Sequence, residues 1–199
     1  MLRPQGLIIG LADALCKLEW STRTTDIRTL IQDNPALLAV RNEVIGFQVL
    51  LQADEEFTVA LNRVNWIAPL GFCPRLRLEV ELPGVPGQAV ERFPVGYLED
   101  DDRRGRAEYL DRADHVRVPA GRPQSVYVRL TVPADLPPGV YDGQVRAYAA
   151  YGFGDEELAW SGAFRLQVAD LMLPDPADWP FHLDLWQHST SVALHHRVP

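Results

Sequence analysis

Residues 125–149 read SVYVRLTVPADLPPGVYDGQVRAYA, and the architecture can be worked out from there. Val126, Val128, Leu130 and Val132 alternate with Ser125, Tyr127, Arg129 and Thr131. A period of two puts the first set on one face and the second on the other, so the run predicts a half-buried strand. Residues 133–139, PADLPPG, then break the pattern. Proline presets φ and glycine supplies positive φ, which makes this a turn with a mechanism. A second strand follows, with Tyr141, Val145, Ala147 and Ala149 sharing a face. Gly143 interrupts that face, and a strand glycine leaves room for a close neighbour.

Working outward, the same signature recurs. Phe47, Val49 and Leu51 alternate with Gln48, Leu50 and Gln52. Phe57, Val59 and Leu61 form a short run behind an Asp54-Glu55-Glu56 turn. Leu76, Leu78, Val80 and Leu82 alternate with Arg75, Arg77, Glu79 and Glu81, and Phe164, Leu166 and Val168 with Arg165 and Gln167. Residues 7–20 hold a first strand region around Leu7-Ile8-Ile9-Gly10-Leu11. Pro83-Gly84-Val85-Pro86-Gly87 and Gly152-Phe153-Gly154-Asp155 mark further turns. Faces that are apolar on one side and polar on the other are what an antiparallel sandwich needs. The expectation is an all-β, antiparallel immunoglobulin-like sandwich of roughly seven to ten strands. Sixteen prolines and fourteen glycines suit strands and turns better than helices. One short helical turn fits around Ile27-Leu30-Ile31, with Pro35 closing it. Residues 99–114 carry adjacent opposite charges, Glu99 to Asp102 and then Arg103, Arg104 and Arg106, and read as a solvated loop.

The net charge of −8 excludes the basic face that nucleic-acid binding requires. All nineteen cations but Lys17 are arginine, a pattern read as coding bias. No run approaches the roughly 18 apolar residues of a membrane span. Asp13 interrupts the first apolar run, so a secretory leader is not expected and the chain reads as cytoplasmic. Cys16 and Cys73 read as two buried reduced thiols, without metal-ligand spacing.

The composition changes after Asp170. Residues 1–170 read as the sandwich domain and 171–180 as a proline-broken linker. Residues 181–199 read as the truncated start of a (β/α)8 barrel: a fresh strand, Phe181 to Trp186, then a helix capped by Ser189-Thr190-Ser191. The active site of such a barrel faces the C-terminal ends of its strands. Asp184, Trp186, Gln187 and His188 are therefore the candidate substrate-binding residues, in the full-length protein only.

Other chemistry finds little support. His182, Asp184 and His188 make a metal site on paper, but polar residues at a strand end explain them more simply. No GxSxG elbow frames a nucleophile, and no glycine-rich phosphate loop occurs. The acids at 54–56 and 156–157 lie in turns and read as solubilising, so no catalytic residue is assigned and no cofactor is expected. Trp20, Trp66, Trp160, Trp179 and Trp186 are candidates for sugar stacking or for core packing, with Trp160 read as core.

A set of motifs in order carries a family resemblance. Arg41-Asn42-Glu43-Val44-Ile45-Gly46-Phe47-Gln48-Val49-Leu50-Leu51 resembles an ARxExxxFQ(V/L)xL stretch. Residues Leu136 to Val145 are similar to an LPPGxYxGxV hairpin, Leu171-Met172-Leu173-Pro174 to an LPxP exit, and Phe181 to His188 to a first barrel strand. Together they resemble the N-terminal region of family 123 glycoside hydrolases and of related proteins with a DUF4091 domain. The resemblance implies a β-sandwich followed by a (β/α)8 barrel. It also implies exo-hydrolysis of β-linked N-acetylgalactosamine, assisted by the sugar's own acetamido group. The Asp-Glu pair such chemistry needs would lie beyond Pro199. On this reading the chain is a non-catalytic accessory domain whose partners are its own barrel and, through it, a carbohydrate. An exposed tail at 181–199 would also allow self-association. A stand-alone carbohydrate-binding module and a structural immunoglobulin-like interaction module are the alternatives; the module needs two or more tryptophans coplanar on an exposed face.

Overall fold

The alternating runs become strands of two facing sheets. The structure, a computed structural model, describes residues 3–61, 74–99, 101, 104–151 and 155–179. The strands are β1 (Ile8–Asp13), β2 (Ala36–Arg41), β3 (Val44–Gln52), β4 (Phe57–Ala60), β5 (Pro74–Glu81), β6 (Val90–Glu99), β7 (Gly105–Leu110), β8 (His115–Val118), β9 (Gln124–Thr131), β10 (Gly139–Tyr151) and β11 (Glu157–Met172). One sheet has the order β1-β3-β9-β6-β7 and the other β2-β11-β10-β5-β4-β8. The alternating apolar sets meet between them. Phe47, Val49, Val126, Val128 and Leu130 come from one sheet; Leu76, Val145, Phe164 and Leu166 come from the other, all fully buried. Phe47 and Phe164 bridge the layers with ring centroids 4.9 Å apart. Gly143 does what its place in the strand implied: a Cβ there would lie 2.2 Å from Phe164 Cζ.

Three expectations need correction. Pairing is mostly antiparallel, but β2 runs parallel to β11 and β4 parallel to β5. Parallel neighbours need a long crossover, and the 61–73 connection between β4 and β5 provides the length. The charged segment 99–114 is not a loop throughout, because it contains β7, hairpinned onto β6. Its inward residues are Gly105 and Ala107, too small to register as an apolar stripe, while Arg106 and Glu108 point to solvent. Finally, β3 is buried on both faces rather than one. Leu50 packs on its outer side with Ile8, Ala12, Leu18 and Ile27.

That outer cover is built by residues 14–31. The helix α1 (Thr24–Leu30) buries Ile27. It ends earlier than Pro35 would dictate, because Gln32 N donates to Leu11 O at 2.8 Å and draws the chain back into extended pairing. Leu18 to Trp20 cap the outer edge of β7: Ala107 N donates to Leu18 O and Trp20 N to Gly105 O. Such pairing closes an edge that would otherwise invite another strand. No helix among the described residues is long and apolar enough to cross a membrane.

Candidate functional site

The four residues assigned to substrate, Asp184, Trp186, Gln187 and His188, lie outside the described residues, as do His182, Trp66 and Cys73. Cys16 is a free thiol, half-buried rather than buried. Among the described residues no group of His, Cys, Asp and Glu could hold a metal.

The turn acids have structural partners. Glu55 Oε1 accepts from Gln5 N at 2.7 Å, and Glu56 pairs with Arg117 at 2.6 Å. Glu156 receives Arg77 through Nε and Nη2, the latter at 2.7 Å, while the guanidinium sits 4.4 Å over the Tyr148 ring. That hydrogen bond holds the Arg77 proton more firmly than usual. Further along the same outer face, Arg146 pairs with Glu81 and Arg165 with Asp142. This face is a ladder of cross-strand ion pairs, not a set of poised acids. Glu81, Asp142 and Gln144 line a cleft of about 600 Å³ over Val80, Leu82 and Val85, but both carboxylates are already paired with arginine.

The tryptophans do not form a sugar platform. Trp20 stacks on Tyr97 at 5.9 Å, lies against Gly105 and carries Arg122 at 4.7 Å from its ring. Trp160 is half-buried against the core, as its strand context implied. Trp179 Nε1 donates to Pro174 O at 3.0 Å. Among the described residues no two tryptophans share a stacked pair.

What the structure does assemble is the exit of the chain. Asn42 takes φ +61° in the β2–β3 turn, a conformation asparagine tolerates better than most residues. Its Nδ2 donates to Leu173 O at 3.0 Å and to Asp175 Oδ1 at 2.9 Å. Leu173 N donates to Arg41 O at 2.9 Å, and the Arg41 side chain reaches Asp170 at 3.5 Å. Glu43 closes the turn by accepting Val40 N, and its own carbonyl accepts Val132 N. Arg41, Asn42 and Glu43 thus clamp Leu171 to Asp175, so two motifs far apart in sequence form one object. The expected linker begins later than residue 171, because β11 continues to Met172. Beside the clamp Leu38, Leu171 and Met172 are 70%, 65% and 57% exposed.

This two-sheet fold has a counterpart. A family 123 glycoside hydrolase from Clostridium perfringens superposes with a TM-score of 0.66 at 10% identity. The match covers 97% of this chain and 32% of that one, so this chain spans about a third of that enzyme's length. Identity at that level establishes a shared fold. An adhesin from Streptococcus sanguinis matches at TM-score 0.34 and 18% identity over 68% of this chain and 55% of its own. The sporulation control protein Spo0M from Bacillus subtilis matches at 0.33 and 11% over 80% and 49%. No protein-family model and no curated protein sequence matches the chain, so the likeness to DUF4091 proteins rests on the quoted motifs alone.

Proposed function

We propose that this chain is the N-terminal accessory sandwich, immunoglobulin-like in build, of a cytoplasmic glycoside hydrolase related to family 123. One observation carries the reading: the fold likeness takes in nearly all of this chain and only a third of the larger enzyme. The clamped exit supports it, since a strap pinned by Asn42 launches the following chain in a fixed direction. Exposed Leu38, Leu171 and Met172 lie where a following domain would rest. On this reading residues 181–199 open a (β/α)8 barrel, and Asp184, Trp186, Gln187 and His188 approach a β-N-acetylgalactosaminide there. The sandwich braces the barrel and supplies no catalytic group. The substrate's acetamido oxygen acts as nucleophile, helped by acids further downstream. Without the barrel, the tail at 181–199 is the surface through which copies of this chain would associate.

The test compares the full-length native protein with residues 1–199 on an aryl β-N-acetylgalactosaminide. Turnover by the full-length protein alone is the expected result. Turnover by residues 1–199 alone, or an inert full-length protein, would overturn the reading.

A further inference from the structure

The outer face of the β1-β3-β9-β6-β7 sheet is covered only in part. Beyond the cover a cleft of about 350 Å³ opens between residues 14–17 and β7, at the small end of the range for ligand pockets. Its walls are Leu15, Cys16, Tyr109, Leu110 and Tyr127, with Gln48 among them. Leu15 is 87% exposed and Tyr109 is 47% exposed, an unusual amount of apolar surface to leave wet around one hollow.

Gln48 is the polar member. It is only 4% exposed, and its Nε2 donates to Ala14 O at 2.9 Å and Cys16 O at 2.6 Å. Both amide hydrogens are therefore used, and two carbonyl acceptors fix which end of the amide is nitrogen. Its Oε1 is buried and has no hydrogen-bond partner. An unpaired buried acceptor is costly, and it asks for a donor. The charged groups of the wall, Lys17 and Glu108, neutralise each other at 3.1 Å. So the cleft offers two tyrosine rings, aliphatic surface, one acceptor and no net charge.

We propose that this cleft is a binding site for a small neutral aromatic molecule bearing one N–H or O–H donor. The ring packs against Tyr109 and Leu110, and the donor meets Gln48 Oε1. This site is separate from the barrel chemistry and does not depend on it.

Cys16 reports on occupancy, because it is a free thiol in the cleft wall. Indole should slow alkylation of Cys16 in this chain, followed by peptide mapping. The matched probe 1-methylindole, which lacks the donor, should need about two- to tenfold higher concentration for equal protection, the worth of one neutral hydrogen bond. In Gln48→Met that difference should vanish. Should Gln48→Met fail to fold, Tyr109→Ala should weaken both probes and keep the preference for indole. No protection by indole up to its solubility limit, or equal protection by both probes in the unaltered chain, would overturn the proposal.

Discussion

Cys16 and Tyr97 share the cover over β3, and burial moves both the same way. Burial, followed by the charge of Asp13, pushes the Cys16 thiol up from its ordinary value. Burial also pushes the Tyr97 phenol well above the usual range, with Cys16 adding to it. Both groups hold their protons to higher pH when folded than when unfolded. Their influence on stability is absent below the unfolded values, about 8.5 for the thiol and about 10 for the phenol. Above those values the unfolded chain ionises first, so the folded state loses stability as pH rises. Urea midpoints should fall between about pH 8 and pH 10.5, and Tyr97→Phe should reduce the fall. Cys16 should also alkylate more slowly than an exposed thiol near pH 8 and gain on it at higher pH. Neither shift was legible in the sequence, because the cover depends on Leu18 and Ile27 folding back over β3. The turn acids were legible as surface residues, but not their partners: Gln5 and Arg117 are brought to Glu55 and Glu56 by the fold.

At the scale of elements, alternation in the sequence predicted strands wherever the inward residues were large. Leu76 and Leu78 of β5, Val126 to Leu130 of β9 and Phe164 to Val168 of β11 all face the core as expected. It failed at β7, where Gly105 and Ala107 hold the inward positions. Gly143 was legible too, as a strand glycine facing a close neighbour, and Phe164 is that neighbour. Because the Phe164 ring is fully buried it has little room to yield, so Gly143→Ala should cost about 1–3 kcal/mol, read from urea unfolding. Phe164→Ala at the same contact should cost about 3–5 kcal/mol. The clamp gives a sharper test of an element. Asn42→Gly keeps the positive φ and removes the side-chain latch, so it should raise hydrogen exchange at Leu173 to Trp179 with little change in the core. Asn42→Ala should do the same and also lower stability by about 1 kcal/mol, because alanine strains at φ +61°.

For the whole molecule, the choice of strand partners was the least legible feature. The runs at 36–41 and 157–172 carry no sign that they pair in parallel; only the fold brings Leu37 beside Leu166. Likewise β1 meets β3 and β3 meets β9 across long stretches of chain. Closing such loops precedes the contacts that reward it, so refolding after urea dilution should take milliseconds to seconds rather than microseconds. The shared fold with part of a larger enzyme could be anticipated from the ordered motifs, but their meeting at Asn42 could not. The parallel β2–β11 pair has a mechanical consequence. β11 is the strand through which the chain leaves, flanked by β10 and β2 on either side. Its hydrogen bonds run across the strand, whereas a tug on Trp179 acts along it. The load would fall on the bonds of both neighbours at once, as shear, instead of peeling them off singly. Any body tethered beyond residue 179 would thus be moored to the part of this domain hardest to pull apart.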